Sequence, residues 1–149
     1  MVRVTSDAGG VSALRELGAD VVMADLKERG TLESACAGVT TVISGATAIF
    51  RQQPGDSISS VDRDGQLALV DAAVAAGARR FVYVSMSGNI EVPSPLTDAK
   101  RTVERRLREG GLVYTILRPS YFMDTWLGPL VGSISRPATC GSSATAIGR

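Results

Sequence analysis

The sequence predicts an α/β fold built as a doubly wound parallel sheet. Three observations predict it. Apolar strand-like runs alternate with helix-period segments along the chain, and several of those segments stop at glycine. The run from Phe81 to Val84 is apolar without alternation, as a strand covered on both faces should be. Strand, helix and strand repeated in this way imply right-handed crossovers, with helices on both faces of the sheet. At 149 residues the chain is long enough for one domain with a real core and short for two.

Each element follows in order. Val2 to Thr5 is a short strand, and Val11 to Leu17 is a helix that stops at Gly18. Val21 to Ala24 reads as a second strand, ended by Asp25. Thr31 is placed to cap a short helix through Ala37, closed by Gly38. Val39 to Ile43 is a third strand, rich in β-branched residues. Arg51 to Ser60 contains Pro54-Gly55 and is expected to be loop. Val61 to Ala76 carries Leu67, Val70, Ala73 and Val74 on one helical stripe, and Gly77 supplies the stop. After the strand Phe81 to Val84, Ser94 and Pro95 form a cap and first-turn pair. Leu96, Ala99, Val103 and Leu107 then share a face until Gly110-Gly111. Val113 to Leu117 is the fifth strand.

Composition removes several chemistries. There is no histidine, which excludes Ser-His-Asp and Cys-His catalysis and every imidazole-based metal site. Ser85-Met86-Ser87-Gly88 lacks the glycine that a nucleophile elbow needs two residues before Ser87. Cys36 and Cys140 are too few and too far apart for a metal cluster or a disulfide framework, and a reducing cytoplasm suits them. Net charge is +1 with both signs scattered, so neither nucleic acid nor a membrane is an expected partner. The basic stretch Lys100 to Arg108 is broken by Glu104 and reads as a solvated helix face. No metal is expected.

In a parallel sheet of this kind, ligands lie beyond the carboxyl ends of the strands. The residues to examine are therefore Ser6-Asp7, Asp25-Leu26, Ser44 to Thr47, Ser85 to Ser87 and Pro119 to Tyr121. Most of these clusters contain Ser or Thr, a small polar rim above an apolar sheet.

Five ordered blocks carry a further signal: ALRELGADVVMADL, VISGATA, VDRDGQLALVDAAVAAGARRFVYVSMSG, PSPLTDAKRTVERRL and YTILRPSYFMD. Together they resemble the NmrA-like, atypical branch of the short-chain dehydrogenase/reductase superfamily, over roughly Ala13 to Leu130. The resemblance implies a Rossmann-type fold and an NADP or NAD site. Asp25 with Leu26 matches the Asp that hydrogen-bonds adenine. Ser44, Gly45 and Ala46 match the small residues that let the backbone pass close to the dinucleotide. Ser85 matches the strand end facing the nicotinamide, and Lys100 the lysine that holds the nicotinamide ribose. Pro119 and Ser120 match the stretch that runs along the nicotinamide.

Three departures qualify the likeness. Members of the family begin with a strand and a glycine-rich turn, so the chain is expected to be an incomplete fold without its first strand and its C-terminal substrate region. Gly9-Gly10 is the candidate substitute for that turn and reads as a flexible loop. The family's Tyr-x-x-x-Lys pair is replaced by Leu96 and Lys100, leaving Tyr121 as the nearest phenol for proton transfer. Ser6-Asp7 stands where an arginine often meets the NADP phosphate, which leaves NAD and NADP both open.

The chain is thus expected to comprise a partial NAD(P)-binding domain over 1–132 and a low-complexity tail over 133–149, either disordered or read in a shifted frame. Lys100, Ser85 and Tyr121 are its catalytic candidates. The leading expectation is a cytoplasmic NAD(P)H-dependent oxidoreductase of a small carbonyl or quinone-like substrate. The alternatives are a non-catalytic dinucleotide-binding regulator and an inactive fragment. A sheet edge left without its neighbour is expected to recruit a second copy of the chain.

Overall fold

The computed structural model describes residues 8–49, 54–89, 92–120 and 147–148. The strand expected at Val2 to Thr5, together with Ser6-Asp7, Tyr121 and Cys140, lies outside the described residues. The first described helix, α1, spans Ala8–Glu16. It takes up Gly9 and Gly10, which therefore form helix rather than the flexible turn their composition suggests.

Three parallel strands form the sheet: β1 (Thr41–Ser44), β2 (Arg80–Val84) and β3 (Val113–Leu117), with β2 in the middle. Thr41, Arg80 and Val113 stand in register, as do Ser44, Tyr83 and Ile116. Between β1 and β2 the chain runs through a π-helical segment, Ile58–Gly65, straight into α3, Gln66–Ala75. Between β2 and β3 it runs through α4, Pro95–Glu109. These are the strand–helix–strand crossovers of an α/β fold with a Rossmann-type parallel sheet. A two-residue strand β4, Ile147–Gly148, pairs antiparallel with Thr41 and Val42 on the outer edge of β1.

Alternation along the strands sends Val42, Phe81, Ser44 and Tyr83 to one side, where all four are buried. There they join Leu32 and Cys36 of α2 (Arg29–Cys36), Leu69 and Ala73 of α3, and Val103 and Leu107 of α4 in one core. Each of the large side chains contributes roughly 1.5–3 kcal/mol on burial. The opposite side differs from the expected two-sided cover. Among the described residues, Ile43, Val113 and Leu117 on that side remain exposed.

Several boundaries move for identifiable reasons. Val21 to Ala24 forms no strand, because no described segment hydrogen-bonds to it and a strand exists only through its ladder; Val22 and Met23 are exposed. α2 begins at Arg29, and its N-cap, Glu28, makes no side-chain capping bond. Thr31 sits inside the first turn instead. Its hydroxyl donates to Glu28 O at 2.7 Å and accepts from Asp25 N at 3.1 Å. Ser57 starts the π-helical segment early through a reciprocal capping box with Ser60, so Ile58 to Ser60 are helical rather than loop. The buried stripe of α3 centres on Gln66, Leu69, Val70 and Ala73, while Val74 faces out. Gly38 and Gly77 close α2 and α3 in the left-handed region, at φ 72° and 73°. No described helix is long and apolar enough to cross a membrane.

Candidate functional site at the carboxyl edge of the sheet

The exits of β1, β2 and β3 lie side by side, and each is anchored by a helix. At the β1 exit, Ser44 Oγ donates to Gln66 Oε1 at 2.8 Å, and Gln66 Nε2 donates to Ala46 O at 3.0 Å. The Ser44 hydroxyl is thus turned inward, and the residues left to face a ligand are Gly45 and Ala46. A Cβ placed on Gly45 meets only Val84, at 3.6 Å, an ordinary contact. Its backbone is not in the left-handed region either, so neither the fold nor the turn demands glycine there. A residue kept without a side chain at the end of a parallel strand suits the close passage of a dinucleotide.

The next layer is charged and buried. Asp62, on the π-helical segment, accepts from Ala48 N through Oδ2 at 3.0 Å. Its Oδ1 stands 3.3 Å from Lys100 Nζ in an ion pair that lacks hydrogen-bond alignment. The same ammonium lies 5.2 Å from the centre of the Tyr83 ring, within cation–π range. Lys100 is only 5% exposed, and burial lowers its pKa while Asp62 opposes that shift. Among the described residues the Tyr83 hydroxyl has no hydrogen-bond partner; burial, then Asp62 and Glu104, push its pKa far above the ordinary tyrosine range.

At the β2 exit, Ser85 Oγ donates to Glu104 Oε1 at 2.6 Å. Arg118, directly after β3, grips the same carboxylate through two nitrogens, at 3.1 and 2.5 Å. Pro119 is half-buried and Ser120 exposed beside it. The stretch from Lys100 to Arg108 is therefore no solvated face. Lys100 and Glu104 are both buried, although the Glu104–Arg108 pair expected from their spacing does form, at 3.1 Å. Leu96, four residues before Lys100, is half-buried and offers no proton.

Farther along the edge, Asp25 turns the chain. Its Oδ1 accepts from Lys27 N at 2.9 Å, and its Oδ2 lies 3.4 Å from Lys27 Nζ, which also donates to Asp56 at 2.6 Å. Leu26 is buried against Gly65, where an added Cβ would stand 2.8 Å from Leu26 Cβ and 3.0 Å from Leu26 O. Gly65 therefore sets how close the helical layer comes to the Asp25-Leu26 turn. The structure thus brings Gly45, Ala46, Ser85, Lys100, Pro119 and Ser120 to one edge, and Tyr121 lies outside the described residues. Asp62, Glu104 and Arg118 are the partners that the sequence reading did not single out. A carboxylate four residues after Lys100, and an arginine directly after β3, were the only available signals.

Comparison with known proteins bears on the occupant. A family model described as NAD(P)H-binding matches residues 1–133. The chain is 35% identical over 111 residues to the photosystem II assembly factor Ycf39 of Trieres chinensis, covering 73% of this chain and 34% of that protein. A putative NAD-dependent epimerase/dehydratase from Bacillus halodurans superposes with a TM-score of 0.66 at 31% identity, over 80% of this chain and 56% of that one. The NADPH-dependent quinone oxidoreductase of Escherichia coli, solved with NADPH, superposes with a TM-score of 0.64 at 25% identity, over 83% of this chain and 41% of that one. The chain spans about a third of the length of the Ycf39 relatives it matches.

Proposed function

The chain belongs to the NAD(P)H-binding family, and on that premise we propose that its strand-end rim holds NADPH or NADH in an oxidoreductase acting on a small carbonyl or quinone-like substrate. The observation that carries this reading is a buried lysine over the ring of Tyr83 and beside Asp62, on the helix that follows β2, together with a side-chain-free Gly45 at the end of β1. The cofactor supplies hydride when bound. The protein supplies position. Lys100 holds the hydroxyls of the nicotinamide ribose, and Asp62 keeps that ammonium charged and aimed. Gly45 and Ala46 give the dinucleotide a close backbone path, while Asp25 and Leu26 meet the adenine. Pro119 and Ser120 run along the nicotinamide, and Ser85 or Ser87 orients the substrate. The proton comes from Tyr121 or from solvent, since Leu96 has none to give.

Titration of the purified chain with NADPH and with NADH, followed by fluorescence and thermal shift, tests this reading. Micromolar binding of either, followed by hydride transfer to a quinone or an aldehyde, is the expected result. Absence of binding by both overturns it. A second reading, a regulator that binds dinucleotide without turnover, is favoured by Leu96 and by the relatives named as photosystem II assembly factors. Binding without hydride transfer to any quinone or aldehyde selects that reading.

A further inference from the structure

We propose that Glu104 is a positioning residue for the nicotinamide end of the site, one buried carboxylate that ties the exits of β2 and β3 to α4 and sets the hydrogen-bonding polarity of Ser85. The proposal rests on the cofactor reading above. Glu104 is completely buried, yet it receives donors from three segments. Its Oε1 accepts from Ser85 Oγ at 2.6 Å, Arg101 Nη1 at 2.6 Å and Arg118 Nε at 3.1 Å. Its Oε2 accepts from Arg118 Nη2 at 2.5 Å and Arg108 Nη2 at 3.1 Å.

A carboxylate offers about four lone-pair sites, so this one is saturated. Burial alone raises its pKa, but the bonds from Arg118, Ser85 and Arg101 outweigh burial and hold it down at about 2. A saturated, strongly acidic carboxylate moves no proton at neutral pH. It acts through what it holds.

Two consequences follow from the bonding. Arg101 also donates to Met86 O at 3.3 Å and to Ser87 O at 2.9 Å, so the β2 exit is fixed by backbone as well as by Ser85. Arg118 Nη1 would lie 3.5 Å from a Cβ on Gly88, which places the β3 exit against that same loop. Ser85, for its part, commits its only proton to Glu104. Its oxygen then offers a ligand lone pairs and no donor. Ser85 can accept from a carboxamide N–H or a ribose hydroxyl, and polarising a substrate carbonyl falls to Ser87. Three guanidiniums around one carboxylate also leave positive charge in surplus beside a site for an anionic ligand.

The test compares NADPH or NADH with ADP, which carries the adenine half alone, on wild type, Glu104→Gln, Arg118→Lys and the core control Leu69→Ala. Glu104→Gln is expected to weaken the full dinucleotide on the order of tenfold while leaving ADP unchanged, a coupling of ordinary size between neighbouring residues. Arg118→Lys keeps the charge but loses the two-point grip, and is expected to give the same split at smaller size. Amide hydrogen exchange in residues 85–88 and 117–120 is expected to quicken in both variants. Leu69→Ala destabilises without splitting the two ligands. Equal weakening of ADP and dinucleotide by Glu104→Gln, or no change in either, overturns the role of Glu104 alone. A wild type that binds neither ligand overturns the cofactor reading and the positioning role with it.

Discussion

Lys100 and Glu104 lie one helical turn apart on α4, and each carries a charge into the core to meet a partner distant in sequence. The two make different predictions. Glu104 is held from the ordinary 4.5 down to about 2 in the folded state. Its stabilising contribution is therefore complete above about pH 4.5 and is lost as pH falls through about 2. Urea unfolding followed down this range should show stability falling with pH in the wild type and a flatter dependence in Glu104→Gln. Lys100→Met strands the Asp62 carboxylate in the interior and is expected to cost roughly 3–5 kcal/mol in chemical denaturation. Lys100→Met with Asp62→Asn should recover much of that loss, because the unpaired charge is gone. Ser85 and Gly45 could be singled out from the sequence because their places follow from the ends of clear strands, and Lys100 only because its helix block resembles the family's. Glu104 was not legible, since alternating charge along KRTVERRLR is what an exposed helix also shows. Its burial is decided by Ser85 and Arg118, nineteen and fourteen residues away.

Among the elements, α4 and β3 match their expected form most closely because their signals are local. Ser94 accepts from Thr97 N at 3.1 Å and Pro95 opens the first turn, as the dipeptide implies. Ser94→Ala should lower stability by about 1 kcal/mol in thermal unfolding, with Ser94→Gly milder. Helix was expected from Val61 onward, but the first turn of the π-helical segment, Ile58 to Ser60, and its wider winding were not legible. Its capping box depends on Ser57 and Ser60 in a polar stretch that otherwise reads as loop, and its wider turn carries Asp62 to Lys100 and Gln66 to Ser44. Val21 to Ala24 shows the opposite failure. The run has the composition of a strand, but composition supplies no hydrogen-bonding neighbour. Thr31 likewise looks like a cap and instead clamps the Asp25 turn, because α2 starts three residues earlier than its hydroxyl suggests.

For the whole molecule, the parallel arrangement of the strands was legible, whereas the cover of the sheet was not. A continuous apolar run reports that a strand has two apolar sides without reporting what lies on each. Among the described residues, the side carrying Val113 (61% exposed) and Leu117 (49% exposed) is open. An apolar sheet surface of this kind favours self-association. Sedimentation of the purified chain is expected to show apparent mass rising with concentration, and Val113→Glu should reduce that rise at little cost in melting temperature. Tyr83 has a consequence of a different kind. Its phenol is sealed beneath Lys100 with no hydrogen-bond partner among the described residues and keeps its proton well into alkali. In an alkaline spectrophotometric titration, the ultraviolet band of its phenolate should therefore emerge only as the chain opens. The molecule thus carries an intrinsic optical gauge of its own integrity, readable without a label.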